Sequence, residues 1–98
     1  MPTYILLSHL TDEGRKTLRE RPERLTEVNR EVEAMGAKIR AQYAVLGGFN
    51  FVNIIEAPDN DTMVRISIEL GLRGTIRIET FPAVEMSVFG GAVSAPRG

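Results

Sequence analysis

Six side chains carry most of the chemistry this sequence could perform: His9, Arg40, Gln42, Asn53, Arg77 and Glu79. His9 is the one histidine, so it alone changes charge near neutral pH. At the end of a strand, near Glu56 or Glu79, it would serve as a general base or ligand; equally, it fits a half-exposed loop residue without a partner. Arg40, Gln42, Asn53, Arg77 and Glu79 fall at strand spacing and project from a sheet. Polar groups on a sheet face that becomes covered need partners, which a small ligand or an amide and salt-bridge network would both supply. A single histidine and no cysteine exclude thiolate catalysis, disulfides, a three-histidine zinc site within one chain and cysteine-ligated clusters. No ligand spacing points to a metal, and none is expected.

Other clusters read as architecture. Arg15, Lys16, Arg19, Arg21 and Arg24 form a basic run that would suit phosphate or an acidic partner. Glu13, Glu20 and Glu23 interleave with it, the pattern of an ion-paired helix surface. Asp59, Asn60 and Asp61 are accounted for by helix capping. Gly47-Gly48 has no phosphate-binding helix start after it and is assigned no nucleotide role. A net charge of −1 argues against a general nucleic-acid binder. The opening Met-Pro-Thr-Tyr-Ile-Leu-Leu-Ser lacks a basic start and is too short an apolar run for export or membrane spanning. Together with the absence of cysteine, this predicts a cytoplasmic protein with no membrane or nucleic-acid partner and no cofactor.

The elements that must position these groups follow from periodicity. Thr3 to Ser8 is apolar and β-rich, as a central strand requires. Thr11 caps a helix start, and Asp12 and Glu13 suit its positive end. Gly14 and Pro22 argue against one smooth helix, so the spacing predicts a short turn near 12–19, a break near Arg21, and a longer helix to Met35. Leu25, Val28, Val32 and Met35 form its apolar stripe, and Gly36 is its stop. Lys38 to Val45 alternates, and Gly47-Gly48 signals a hairpin to Phe51–Glu56.

With a two- or four-residue turn, Ile39, Ala41, Tyr43 and Val45 share a face with Val52 and Ile54. Arg40, Gln42, Phe51, Asn53 and Ile55 share the other. The purely apolar set is expected to face the core. A three-residue turn would change that assignment, since one residue of slip flips every side chain. Residues 63–72 fit either a strand or a helix; the Asp59 cap and the flanking Gly71 and Gly74 favour the helix. Its apolar breadth predicts burial on more than one side, hence an assembly contact. Residues 75–80 form a last strand, with Pro82 ending or bending it.

The order β-α-β-β-α-β is the split form that yields a four-stranded antiparallel sheet with both helices on one face, an α+β domain. The predicted domain spans residues 1–86, and residues 87–98 read as a flexible tail. The uncovered sheet face would pair with a second copy, making a homo-oligomer whose two sheets enclose the mixed residues.

Tyr43, Gly47, Gly48-Phe49-Asn50, Val52, Ile54, Glu56-Ala57-Pro58-Asp59 and Glu79-Thr80 together resemble the GYD-domain family. Met1-Pro2-Thr3-Tyr4 and Leu10-Thr11-Asp12-Glu13-Gly14 are similar to it as well, and the match runs to about Ala83. The resemblance implies a ferredoxin-like fold of the dimeric α/β-barrel type, and no activity. The name-giving Gly-Tyr-Asp is here Gly48-Phe49-Asn50, without phenol or carboxylate, which puts in doubt any chemistry needing either group. His9 stands where the family more often carries lysine. The expected function is an oligomeric module taking a small organic ligand between paired sheets. The alternative is a cofactor-independent monooxygenase or isomerase on the analogous barrel, by fold analogy alone.

Overall fold

A computed structural model describes residues 1–94. β1 (Thr3–Leu10) leads into α1 (Asp12–Glu20) and α2 (Arg24–Ala34), then β2 (Lys38–Ala44), β3 (Phe51–Glu56), α3 (Asn60–Leu72), β4 (Ile76–Ala83) and α4 (Met86–Ser94). The sheet order is β2-β3-β1-β4, with every neighbouring pair antiparallel. Pairing each half's strands around a central β1–β3 contact gives the ferredoxin-like layout the sequence predicts.

Local chemistry sets the element boundaries. The Thr11 hydroxyl accepts from Gly14 N–H at 3.1 Å and donates to the Gly74 carbonyl at 2.7 Å, so one side chain caps α1 and ties it to the turn before β4. Pro22 falls in the break between α1 and α2, and Gly36 ends the second helical stretch with a positive φ of 101°. Residues 60–72 are helical, capped by Asp59, whose carboxylate accepts from the Thr62 N–H at 2.8 Å. Pro82 does not end β4. It pairs with Tyr4 on an edge strand, where its missing N–H faces away from the ladder.

Tyr4 and Leu6 alternate inward from β1 and meet Ile55, Val32, Met63, Ile66 and Leu70, all buried. The Tyr4 hydroxyl donates to Asn60 Oδ1 at 2.5 Å, pinning the start of α3 to this face. The first three helices therefore lie on the side of Tyr4, Leu6 and Ser8. Ile5, Leu7 and His9 point to the open side.

The β2–β3 ladder then corrects the predicted faces. Ala41 pairs with Ile54 and Tyr43 with Val52, as the alternation predicts, but this apolar set is on the open side. Gln42, Asn53, Phe51 and Ile55 are on the helix side, because Tyr4 pairs with Ile55 and Leu6 with Asn53. The loop between β2 and β3 runs over residues 45–50, closed by Val45 N–H to the Asn50 carbonyl at 3.0 Å. A register shift between Ile39 and Ala41 adds a second correction. It sends Ile39 opposite Ile55 and against the core, whereas strict alternation groups Ile39 with Ala41.

The segment predicted as a tail from residue 87 is helical as far as Ser94, and residues 95–98 lie outside the described residues. Every residue of α4 is exposed. The Cα radius of gyration is 15.6 Å, against about 12.5 Å for a compact chain of this length. The principal extents of 58 × 30 × 19 Å show that the molecule is drawn out along one direction.

Candidate functional site

Gly48-Phe49-Asn50 sits where the β2–β3 loop meets the end of β1. Asn50 Oδ1 accepts the Leu10 N–H at 2.8 Å, and the Asn50 N–H donates to the Ser8 carbonyl at 2.9 Å. The side chain thus extends the β1–β3 ladder by one bond past the last strand residue. A carboxylate oxygen at the same position could accept the same N–H, so replacing aspartate with asparagine leaves this contact available. The Phe49 ring lies 4.5 Å from the His9 imidazole, centroid to centroid, with the planes tilted by 46°. A phenol is not required for that contact either. Among the described residues, no group of three or more histidines, aspartates or glutamates is placed to hold a metal.

The open sheet face brings together four of the six predicted polar residues. Arg77 pairs in register with His9, Glu79 with Leu7, and Arg40 forms an ion pair with Glu56 at 2.8 Å. The Arg40 hydrogen bond holds the Glu56 carboxyl below its usual range, and Glu56 in turn raises the Arg40 guanidinium. Between these charges lie half-buried Ile5, Leu7, Val52 and Ile54, and the more exposed Tyr43 and Phe81.

Gln42 and Asn53 are not part of that face. They lie behind the sheet, where Gln42 Nε2 donates to Asn53 Oδ1 at 2.9 Å and to Asn29 Oδ1 at 2.9 Å. Asn29 Nδ2 donates back to Gln42 Oε1 at 2.7 Å. The lining expected for a cavity between paired sheets is therefore split between opposite faces. Asn29, on α2, has no sequence signal of this role, since it depends on how α2 crosses β2.

Three members of the basic run of α1 and α2 are engaged with carboxylates. Arg15 pairs with Asp12, Arg21 with Glu23 and Glu27, and Arg24 with Glu27 and Glu31. Glu31 also pairs with Arg73 at the end of α3. Burial pushes the Glu31 carboxyl up, but hydrogen bonds from Arg73 and Arg24 outweigh it and hold the group below its usual range.

Two further surfaces stand out by their exposure. Val64, Ile68 and Leu72 recur every four residues along the outer side of α3, at 55%, 56% and 78% exposure. On α4, Met86, Val88, Phe89 and Val93 are all exposed, in a helix without one charged side chain. The apolar breadth of residues 63–72 makes the first stripe legible in the sequence. The second, Met86 apart, falls in the stretch predicted as tail.

The GYD domain model matches residues 4–93, and so includes α4 as well as the sheet. The chain belongs to the GYD-domain family. It is 47% identical over 88 residues, 89% of this chain and 93% of the other, to a protein of Thermus thermophilus. That relative is named "Glutamine synthetase and cystathionine beta-lyase binding protein". Two crystal structures share the fold at 19% identity. FFRP-DM1 superposes with a TM-score of 0.59 over 86% of this chain and all of its own. TTHA0845 from Thermus thermophilus does so with a TM-score of 0.55 over 99% of this chain and all of its own.

Proposed function

We propose that this GYD-domain chain is a non-catalytic, protein-binding module that self-associates through its open sheet face and presents apolar helix surfaces to a partner enzyme. The observation that carries the reading is the uncharged α4, exposed at every residue, together with the Val64–Ile68–Leu72 stripe. Large apolar side chains grouped this way are costly to leave in water and mark protein contacts. The open sheet face supplies a second such surface, where Ile5, Leu7, Val52 and Ile54 have no helix over them. Arg77 and Glu79 would make polar pairs at the rim of a sheet-to-sheet contact.

The relative named for binding glutamine synthetase and cystathionine beta-lyase supports a partner of that class. Both enzymes from the organism that supplies this chain are the first partners to test. A cysteine-free sequence suits a reducing compartment, and the reading carries a cytoplasmic setting with it. Among the described residues, no helix is long and apolar enough to cross a membrane.

Light scattering coupled to size exclusion tests self-association, and biolayer interferometry against the two purified enzymes tests partner binding. The reading expects an oligomer that binds at least one enzyme and loses roughly tenfold or more in affinity when Val64 and Ile68 are changed to Glu. A monomer that binds neither enzyme refutes it.

A further inference from the structure

A cleft of about 300 Å³ lies between α1–α2 and the β2–β3 half of the sheet, on the side away from the open face. Its walls are Leu18, Leu25 and Val28 from the helices and Phe51 and Ile76 from the sheet. Asn29, Gln42 and Asn53 meet it as one connected group of amides. The cleft lies beside the break around Pro22 that separates α1 from α2. Gly14 brings α1 down onto the start of β4, while α2 crosses above β2. The wedge between them is left open, so Ala44 and Gln42 stay exposed on a face that is otherwise core.

We propose that this cleft binds a small, uncharged organic molecule with an apolar, ring-sized body and one carbonyl oxygen. The size suits such a body, being at the lower end for small-molecule pockets. The carbonyl follows from the hydrogen-bond inventory of the amides. Gln42 Nε2 spends its donors on Asn29 and Asn53, and Asn29 Nδ2 donates to Gln42. Asn53 uses its oxygen to accept from Gln42, while its Nδ2 donors have no partner among the described residues. Among the described residues, Asn53 Nδ2 is thus the one amide nitrogen or oxygen of the three side chains without a protein partner, and an acceptor oxygen completes it.

Neutrality follows from the charges. Among the described residues, Arg24 is the one ionic side chain lining the cleft, and its guanidinium is bridged to Glu27 and Glu31 at 2.8 and 3.2 Å. A carboxylate ligand would have to compete with both acids, and no lysine or second arginine among those residues lines the cleft to compensate. Leu25, half exposed at 49%, would be covered by the bound molecule. Apart from Tyr43, which also belongs to the open sheet face, the cleft is lined by residues outside the proposed protein-binding surfaces, and the two proposals are tested separately.

Acetanilide, a neutral aryl amide with one carbonyl, is a suitable probe, with sodium benzoate as its charged counterpart. Titration into 15N-labelled protein is followed through the side-chain NH2 signals of Asn29, Gln42 and Asn53. Saturable shifts are expected with acetanilide in the low-millimolar range, largest at Asn53, and at least roughly tenfold weaker binding of benzoate. Ala44→Phe puts a ring into the cleft from an exposed strand position. It should retain the native backbone spectrum and lose at least about tenfold in acetanilide affinity. Asn53→Leu keeps the branched shape of the side chain and removes the donor, along with the oxygen that accepts from Gln42; it should weaken acetanilide without weakening the binding of ethylbenzene. Absence of saturable shifts, shifts that persist in folded Ala44→Phe, or benzoate binding as tightly as acetanilide would each overturn the proposal.

Discussion

Replacing Gly14 with alanine should destabilise this protein, although the same exchange elsewhere in its helices should stabilise it. An ideal Cβ at Gly14 would lie 1.9 Å from the Thr75 carbonyl oxygen, 2.9 Å from its carbon and 3.2 Å from Leu10 Cδ2. The first contact is with backbone, so no rotamer change relieves it. The start of α1 and the start of β4 must separate by about 1 Å before the methyl group fits. That separation strains two bonds that run across the same gap, Thr11 N–H to the Thr75 carbonyl at 3.0 Å and the Thr11 hydroxyl to the Gly74 carbonyl at 2.7 Å.

Overpacking of this kind costs about 1–3 kcal/mol, and each weakened hydrogen bond adds up to about 1 kcal/mol. Against this, alanine gains about 1 kcal/mol over glycine in a helix. The net is a loss of about 2–3 kcal/mol, a large share of a small domain's stability. In a chain of this size it lowers Tm by about 10–20 °C. Gly71→Ala is the matched control: it lies in α3 with nothing within 4 Å of where the added methyl would sit and no positive φ, so about 0.5–1 kcal/mol of stabilisation is expected. Urea unfolding followed by circular dichroism, with slope and midpoint fitted separately, measures both. If Gly14→Ala raises the midpoint as Gly71→Ala does, the close approach of α1 to β4 is wrong.

The turn signature gives a second prediction. Asn50→Asp keeps an acceptor for the Leu10 N–H and should change stability by less than about 0.5 kcal/mol, whereas Asn50→Leu strands that N–H and should cost about 1–3 kcal/mol in the same unfolding assay. The α3 cap gives a pH prediction. The Thr62 N–H and hydroxyl hold the Asp59 carboxyl below its usual range, so its contribution is present above the unfolded value of about 3.9 and is lost as pH falls through the folded one. Asp59→Asn keeps an acceptor but does not titrate. The stability difference between the two proteins, measured by thermal unfolding across acid pH, should be constant near neutrality and vary only below about pH 4.

The sequence by itself determined the elements from β1 to β4 and their order, but not α4. Strong local signals mark each boundary: Thr11 and Asp59 as caps, Pro22 as a break, Gly36 as a stop, and the alternation through Lys38–Ala44. Those signals act over a few residues, where backbone sterics and capping bonds dominate, so they survive folding unchanged. The α3 stripe was legible for the same reason, since a 3.6-residue period shows that Val64, Ile68 and Leu72 point away from Met63, Ile66 and Leu70. The turn signature was legible as residues, though its contacts were not.

Tertiary structure alone decided which face of the hairpin meets the helices. Both faces of β1 are apolar, Tyr4 and Leu6 on one and Ile5 and Leu7 on the other, so burial preference does not choose between them. The choice was made by pairing Tyr4 with Ile55 and by the Tyr4 hydroxyl on Asn60, fifty-six residues away. The irregularity between Ile39 and Ala41 then broke the alternation that had grouped Ile39 with the open face. Gln42 and Asn53 consequently joined Asn29 in a cleft behind the sheet, while Arg40, Arg77, Glu79 and His9 remained in front. A two-residue period fixes which side chains travel together, but long-range pairing alone fixes where they go.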